Sequence, residues 1–313
     1  MNEKRWTIGE LAKSGAEVLA KRNLDSPRLD SDLLLAHVLG MARLDLFARF
    51  DMPVDDELRA QFRALIKRRL NAEPIAYILG VREFLDLTFE VGPGVLIPRP
   101  ETEHVVHAGA TFLDKKANPK ILEIGVGSGC IALSLLHAYP QASALAFDVS
   151  PVAVDYTTKN ANKFGLADRI EVVVSDVFSA LDSLPSWQCE FDLIISNPPY
   201  IRLDEKLELA RDVIEFEPHL ALFCPDDGLS FHRRIVTEGL SRLAPDGGIV
   251  LELASESGAS IVAFAQNKLA ECQASVLPDY SGHDRVFCLT REKWPEEFSG
   301  LHGANRASKE EQG

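Results

Sequence analysis

The segment Asn197-Pro198-Pro199-Tyr200 could bind and orient an amino or amide NH2 group. Proline fixes its own φ and disfavours the helical region for the residue before it, so Asn197 and Pro198 are held in extended conformations. The Asn197 carboxamide oxygen and the Pro198 carbonyl are then two acceptors for the two N–H donors of such a group. Tyr200 could stack its ring on a flat acceptor group. The alternative is an ordinary strand-to-loop turn, which this composition also fits.

Residues 191–195, just before this motif, are mostly apolar and predict a buried β-strand. A strand cannot continue its hydrogen-bonded ladder through two prolines, so we expect it to stop at Asn197. The reactive groups would therefore lie at the carboxyl end of a strand.

A glycine-rich turn follows another predicted strand, at 120–124, and precedes a helix that opens at Cys130. Glycines at such a turn allow a ligand to approach the backbone closely at a helix N-terminus. The turn lacks the lysine of a nucleoside-triphosphate loop, which argues against binding of a triphosphate. Alone, this turn is a weak signal. Its residues are Gly125, Val126, Gly127, Ser128 and Gly129.

Two acidic residues lie at the ends of the next two predicted strands. Asp148 comes 23 residues after Gly125, about where a βαβ unit presents a carboxylate to ribose hydroxyls. Asp176 ends the third strand and could accept a hydrogen bond from an adenine amino group. Either aspartate alone could equally be a helix cap or a loop residue. Because the carboxyl ends of parallel strands share one edge of a sheet, we expect both to lie near the glycine turn and Asn197.

From residue 120 onward, apolar runs alternate between strand and helix patterns, which is typical of an α/β protein with a parallel sheet. The last two strands have so short a connection that they must be antiparallel. Strands are predicted at 120–124, 143–147, 170–174, 191–195, 249–253, 272–277 and 285–290, and helices near 129–138, 151–164 and 228–243.

The first seventy residues predict a bundle of helices. Thr7 to Glu10 has the spacing of a capping box, and Ser26-Pro27 is a second helix start, with serine as the cap. The basic run Lys67 to Arg69 suits a helix C-terminus. We predict a helical domain over 1–72, a linker with a short hairpin over 73–94, a catalytic domain over 95–294 and a polar, disordered tail over 295–313.

Composition limits the partners. The net charge is −14: residues 1–72 carry +2 and residues 73–313 carry −16. Long duplex nucleic acid is a poor partner for such a chain. No apolar run approaches ~18 residues, and the five scattered cysteines form no Cys-x-x-Cys pair. We predict a cytoplasmic monomer with no membrane or stable nucleic-acid partner. His104 and His107 lack a third ligand nearby, so we predict no metal.

An adenosine-shaped slot beside acceptors for an NH2 group describes methyl transfer from S-adenosylmethionine to nitrogen. The chain resembles the Rossmann-like S-adenosylmethionine methyltransferases, and within them the glutamine methyltransferases that modify peptide-chain release factors, over roughly residues 10–290. The motifs that carry the resemblance are Glu73-Pro-Ile-Ala-Tyr-Ile-Leu-Gly80, Arg82-Glu-Phe84, Leu96-Ile-Pro-Arg-Pro-Glu-Thr-Glu103, Glu123-Ile-Gly-Val-Gly-Ser-Gly129, Asn197-Pro-Pro-Tyr200, Phe216-Glu-Pro218 and Gly282-His-Asp-Arg285.

The resemblance implies a seven-stranded sheet with a small N-terminal helical domain, S-adenosylmethionine as cofactor, and the glutamine of the Gly-Gly-Gln loop of class I release factors as methyl acceptor. The helical domain would dock that protein. Asn197 and Pro198 would be catalytic, and Asn197, Pro198, Pro199 and Tyr200 would bind substrate. The residues expected to bind the cofactor are Gly125, Val126, Gly127, Ser128, Gly129, Asp148, Asp176, Val177 and Asn197.

Several points stay open. Glu123 stands where many relatives have Asp, and a longer acid would shift the cofactor contact. Arg99 and Glu101 could pair with each other or line the acceptor side. Ribosomal-protein glutamine methyltransferases rank second among the resemblances. The Asn-Pro-Pro-Tyr motif is shared with DNA adenine methyltransferases, which flip a base out of the duplex, and a non-catalytic cofactor-binding or docking module is a further alternative.

Overall fold

The computed structural model describes residues 5–22, 24, 26–114, 116–269 and 272–291, and the predicted tail at 295–313 lies outside them. The chain divides into two compact units. The first is Met1–Val81 with Leu209–Phe216, and the second is Arg82–Glu208 with Glu217–Gly313. No described helix has both the length and the apolar character needed to cross a membrane.

The first unit is helical. The capping box is confirmed: Thr7 accepts from the Glu10 N–H and Glu10 accepts from the Thr7 N–H. The helix start predicted at Ser26-Pro27 is confirmed, since Ser26 is the N-cap residue of α2 and Pro27 opens the helix. The Ser26 side chain, however, makes no capping hydrogen bond, and its ψ of 58° lies outside the extended region usual for N-caps. The helices are α1 (Ile8–Ala20), α2 (Pro27–Leu39), α3 (Arg43–Ala48), α4 (Asp56–Leu70), α5 (Ile75–Leu79) and α9 (Arg211–Phe216).

The core of this unit is apolar and extends past the limit predicted at residue 72. Leu19, Leu34 and Leu35 are fully buried at its centre. Ile78, on the short helix α5, belongs to the same core, so residues 73–81 group with the helices before them. Gly80 then ends α5 in the left-handed conformation, which glycine adopts readily.

Arg69 is a buried crosslink within the helical unit. Its Nε donates to Asp30 Oδ2 at 2.7 Å, and its Nη1 donates to the Glu73 carbonyl at 3.1 Å and to Asp212 at 3.3 Å. Arg69 is only 7% exposed. This arginine therefore does more than complement the C-terminus of α4, the role that the sequence predicts.

The second unit contains a seven-stranded sheet, which confirms the predicted fold class. Its order is β5-β4-β3-β6-β9-β11-β10, where β11 is antiparallel to both neighbours and the other pairs are parallel. The strands are β3 (Lys120–Ile124), β4 (Ser143–Asp148), β5 (Ile170–Val174), β6 (Phe191–Ser196), β9 (Leu243–Glu252), β10 (Gln273–Pro278) and β11 (Asp284–Thr290).

Outside this sheet, β1 (Val81–Phe84) and β2 (Leu87–Glu90) form the predicted hairpin, and β7 (Ile201–Arg202) pairs with β8 (Phe223–Cys224). The second unit also has helices that the sequence reading missed or misplaced. α12 was not predicted. The helix predicted at 228–243 ends at 239, because β9 starts at 243, six residues before the predicted strand. The pairing of β9 with β6 contains a register shift near the start of β6. The helices are α6 (Glu103–Leu113), α7 (Cys130–Ala138), α8 (Pro151–Lys163), α10 (His219–Leu222), α11 (Ser230–Gly239) and α12 (Gly258–Lys268).

The order of strands puts a crevice between β3 and β6. From β3 the chain proceeds outward through β4 and β5, whereas from β6 it proceeds to β9 on the other side. Connections that leave in opposite directions open a crevice at the carboxyl ends of the two strands, where ligands bind in open α/β sheets. The buried Ser196 hydroxyl donates to the Ile124 carbonyl at 2.6 Å and ties these two strand ends together.

We predict that Arg69→Ala lowers the free energy of unfolding by about 3–5 kcal/mol, because it removes the guanidinium that pairs with the buried Asp30 carboxylate at 2.7 Å. Arg68→Ala is the matched control: Arg68 pairs with Glu73 but is 43% exposed, so its loss costs less than about 1 kcal/mol. Urea unfolding of the three proteins measures both values. Equal losses in the two variants would contradict the crosslinking role of Arg69.

Candidate active site

A cavity of about 290 Å³ opens at the carboxyl ends of β3, β4, β5 and β6. Most of the residues that the sequence predicted for a site lie on its wall. Gly129 and Tyr200 are the predicted residues that lie off the wall. The predicted residues on the wall are Gly125, Val126, Gly127, Ser128, Asp148, Asp176, Val177, Asn197, Pro198 and Pro199.

The glycines of the turn after β3 have different roles. All three have positive φ, which only glycine adopts readily. A Cβ at Gly125 or Gly127 would meet no atom within 4 Å, so these two border open space on the cavity wall. A Cβ at Gly129 would meet Leu133 at 2.8 Å and Thr157 at 3.0 Å. Gly129 thus allows α7 to pack, whereas the first two glycines leave a cradle for a ligand.

Two buried polar side chains of α8 support this turn from behind. The Thr157 hydroxyl donates to the Gly127 carbonyl at 3.0 Å, and Asn160 Nδ2 donates to the Ser128 carbonyl at 2.9 Å. Asn160 also accepts from the Glu90 N–H at 2.7 Å, which links the turn to the hairpin. The sequence reading did not identify either residue. Their signal is the spacing of two polar residues three apart on the buried face of a helix.

Two carboxylates order the backbone around the cavity. Asp148 accepts from the Gly127 N–H and from the Ser150 N–H, both at 2.9 Å, and the Val149 N–H is a third backbone donor, which leaves the carboxylate some acceptor capacity for a ligand. Burial raises the pKa of Asp148 against the opposing effect of these N–H donors. Glu123 accepts from the Ala132 N–H at 2.8 Å, and burial, with the nearby Asp148 charge, raises the pKa of Glu123 well above its usual value.

Asp176 and Val177 form the wall at the end of β5. Asp176 Oδ1 accepts from Arg234 Nη1 at 2.7 Å in an exposed ion pair. Val177 is buried and has φ 50°, a conformation that is rare for a β-branched residue. Such strain persists only where surrounding contacts enforce it, often at binding sites.

The Asn197 side chain is held by a chain of hydrogen bonds. Asn197 Nδ2 donates to Thr102 Oγ1 at 3.1 Å, and the Thr102 hydroxyl donates to Glu252 Oε2 at 2.7 Å. The Tyr200 hydroxyl donates to Glu252 Oε1 at 3.1 Å. The register of β6 and β9 pairs Ser196 with Leu251, so Asn197 and Glu252 leave the sheet side by side. Tyr200 is therefore anchored by Glu252, and its stacking on a substrate stays a prediction.

Glu252 is fully buried, and its charge is only partly compensated. Burial raises the pKa of Glu252 from its usual 4.5 to about 6, although hydrogen bonds from Thr102 and Tyr200 and the Arg285 charge oppose the rise. The Glu101 carboxylate adds a smaller upward effect. Above this pKa the side chain is an anion that accepts both hydroxyls.

The proline-rich segment before α6 is clamped by Glu217. Arg99 Nη2 donates to Glu217 Oε1 at 2.6 Å, and the Ile97 N–H donates to Glu217 Oε2 at 3.0 Å. The predicted pairing of Arg99 with Glu101 is wrong, because Arg99 pairs with Glu217. Arg99 does line the cavity, which was the other role left open for it, whereas Glu101 is not among the residues of the cavity wall. The clamp brings together two motifs that are over one hundred residues apart in the chain.

The two histidines noted in the sequence lie on α6. The His104 ring packs on Tyr280, with ring centroids 4.6 Å apart. The described part of the chain contains no group of three or more His, Cys, Asp or Glu side chains that could hold a metal ion.

Comparison with known proteins identifies the family. Residues 10–80 match the PrmC N-terminal domain, and residues 108–219 match the methyltransferase small domain. The release factor glutamine methyltransferase of Rhodopirellula baltica is 34% identical over 294 residues, which cover 93% of this chain and 98% of that protein. The one of Chlorobaculum tepidum is 38% identical, over 92% of this chain and 99% of that protein. The chain belongs to the release factor glutamine methyltransferase family.

The fold of this methyltransferase also occurs in more distant enzymes. The hMettl16 catalytic domain, solved in complex with a 3′UTR hairpin, superposes with a TM-score of 0.54 over 89% of this chain and 92% of that chain, at 15% identity. At this level of identity the similarity concerns the fold alone.

The sequence reading of this methyltransferase gave no role to Thr102, Glu217 or Glu252. Thr102 and Glu217 lie within two of the motifs that carry the resemblance, but the local sequence does not indicate their hydrogen-bond partners, which are far away in the chain. Glu252 could have been predicted in the same way as Asp148, because both are acids at the end of a strand on the same edge of the sheet.

We predict that Glu252→Gln alters the pH dependence of stability. The pKa of Glu252 is higher in the folded protein than in the unfolded chain, so its stabilising effect is full below about pH 4.5 and is lost as pH rises through about 6. Relative to the variant, the wild type should lose about 2 kcal/mol of unfolding free energy across this window. Urea unfolding from pH 4.5 to 7 measures it. A difference between the two proteins that stays constant with pH would contradict the raised pKa.

Proposed function

We propose that this methyltransferase moves a methyl group from S-adenosylmethionine to the side-chain amide nitrogen of a glutamine, and that the glutamine lies in the Gly-Gly-Gln loop of class I peptide-chain release factors. The observation that carries the proposal is the Asn197 carboxamide, fixed by Thr102 on the wall of the cavity that the glycine turn also lines. The names of the relatives support a glutamine of a release factor as the methyl acceptor. The proposed enzyme is a cytoplasmic monomer without a membrane or stable nucleic-acid partner.

The cavity fits an adenosine-containing cofactor. Gly125 and Gly127 border open space where the cofactor can approach the backbone. The remaining acceptor capacity of Asp148 can take a ribose hydroxyl, and Asp176 and Val177 line the cavity wall, where an adenine would lie. When bound, S-adenosylmethionine supplies an electrophilic methyl group on a sulfonium.

The acceptor side of the cavity suits an amide NH2 group. An amide nitrogen is a poor nucleophile, because its lone pair is delocalised into the carbonyl. Asn197 Oδ1 and the Pro198 carbonyl can accept its two N–H donors, which orients the nitrogen and stabilises the positive charge that develops on it. The rest is placement of the nitrogen at ~3 Å from the methyl carbon. No general base is needed in the transfer, because the nitrogen becomes acidic and loses its extra proton to water.

The remaining groups of the motif would hold the acceptor side chain. Pro199 lines the cavity, and the Tyr200 ring, with its hydroxyl anchored on Glu252, would stack on the flat amide. We propose that the helical unit, which matches the PrmC N-terminal domain over residues 10–80, docks the body of the release factor.

We predict that Asn197→Ala lowers methyl transfer to a release factor by about 100-fold or more, because the acceptor loses the oxygen that orients it. Cofactor affinity should change by no more than a few-fold. The assay incubates each enzyme with tritiated S-adenosylmethionine and a purified class I release factor, and mass spectrometry locates the label. Asn162→Ala, an exposed asparagine of α8, is the matched control.

Two results would count against this proposal. Near-normal turnover by Asn197→Ala would remove Asn197 from its role. If the wild type labelled DNA or a ribosomal protein instead of the release factor, the acceptor would be wrong, although the chemistry at nitrogen would stand.

We predict that Asp148→Ala raises the dissociation constant for S-adenosylmethionine roughly 10–100-fold, through loss of hydrogen bonds worth about 1.5–3 kcal/mol. Isothermal titration calorimetry measures this value. Asp155→Ala, an exposed aspartate on α8, should bind like the wild type. An unchanged constant for Asp148→Ala would show that its carboxylate does not contact the cofactor.

A further inference from the structure

Thr102 lies between the Asn197 amide and a buried acid. It is 2% exposed, Glu252 is 0% exposed, and both are on elements far apart in the sequence. The Thr102 oxygen is 3.1 Å from Asn197 Nδ2 and 2.7 Å from Glu252 Oε2. The other Glu252 oxygen is occupied by the Tyr200 hydroxyl at 3.1 Å. Thr102 is thus the one protein group that connects the carboxamide to the buried acid within the described residues.

The protons of this chain can be arranged in only one way when Glu252 is an anion. A carboxylate accepts hydrogen bonds and donates none, so Thr102 must give its single proton to Glu252. The 2.7 Å separation is that of a charge-assisted O–H···O⁻ bond. Thr102 can then only accept from Asn197, which requires the NH2 end of the carboxamide. With the carboxamide reversed, two oxygens would face each other at 3.1 Å with no proton between them.

We propose that Thr102 is a positioning residue, which commits its proton to Glu252 and thereby turns the Asn197 oxygen toward the acceptor. The inference rests on the proposed function and deepens it. Among the described residues, no hydrogen bond engages Asn197 Oδ1, so this oxygen is available on the cavity wall that Asn197 lines.

The orientation determines which acceptor the site takes. The two ends of a carboxamide have nearly the same shape, so shape alone does not fix its direction. With its oxygen toward the cavity, Asn197 accepts from the NH2 group of a glutamine. Reversed, it would present N–H donors to that group and would instead suit a carboxylate. Thr102 and Glu252 therefore select glutamine over glutamate, because an unpaired buried donor or acceptor costs more than a lost contact.

The test compares Thr102→Val, which keeps the shape but lacks the hydroxyl, with Thr102→Ser, which keeps the hydroxyl. At pH 8, Thr102→Val should lower kcat for release-factor methylation about 10-fold or more. KM and the cofactor dissociation constant should stay within about 3-fold of the wild type. Thr102→Ser should restore kcat to within about 3-fold of the wild type. Thr158→Val, an exposed threonine of α8, is the matched control.

A second measurement requires neither cofactor nor turnover. In NMR spectra of protein with ¹⁵N-labelled asparagine, the Asn197 side-chain NH2 signals are assigned by their absence in Asn197→Ala. We expect hydrogen exchange with solvent to be slow for these protons in the wild type and Thr102→Ser, and faster in Thr102→Val. Urea midpoints of every variant show whether each one is folded.

The outcomes separate the two proposals. If the wild type transfers no methyl group to the release factor, the proposed function fails, while the NMR experiment still tests the orientation. If the wild type is active and Thr102→Val has the same kcat, the positioning role is wrong. If Thr102→Val does not fold, rapid exchange of the Asn197 NH2 protons in the wild type itself would overturn the inference.

Discussion

Burial of carboxylates at the edge of the sheet is the constraint on which this site depends. Glu123, Glu217 and Glu252 are all almost completely buried, where an unpartnered charge would be very unfavourable. Glu123 accepts from the Ala132 N–H, Glu217 accepts from the Ile97 N–H and Arg99, and Glu252 accepts from the hydroxyls of Thr102 and Tyr200. Because a buried carboxylate needs these hydrogen-bond donors, the three acids hold the segments that supply the donors in one arrangement.

The backbone on the two sides of the cavity is controlled by opposite means. On the side proposed to bind the cofactor, glycines adopt positive φ, so that no Cβ fills the space bordered by Gly125 and Gly127. On the side proposed to bind the methyl acceptor, Pro198 and Pro199 restrict φ, so that the backbone of Asn197 and the Pro198 carbonyl have little conformational freedom. In the proposed function, one side accommodates a large ligand closely, and the other aims two hydrogen-bond acceptors at one small group. The proposed cofactor side and the proposed catalytic side thus use different residue types within one crevice.

The sequence and the sheet together explain why the two sides meet. Strands β3 and β6 are neighbours although seventy residues separate them, and the Ser196 hydroxyl joins their carboxyl ends. The segment before α6 is then drawn in by Glu217 and Glu252. These contacts fix the hydrogen-bond acceptors of the site before any ligand binds. A hydrogen bond that forms without rearrangement of the protein stabilises a transition state most.

By itself, the sequence determined the alternation of strands and helices, the glycine turn, the strand-end acids and the stiff Asn-Pro-Pro-Tyr segment, because periodicity and the preferences of Gly and Pro act locally. It could not determine which side chains meet across the chain. The early start of β9, the partner of Arg99 and the Asn197–Thr102–Glu252 chain were decided only by the tertiary structure. Strand order and register bring these residues together, and a buried polar group takes whichever partner the fold places beside it.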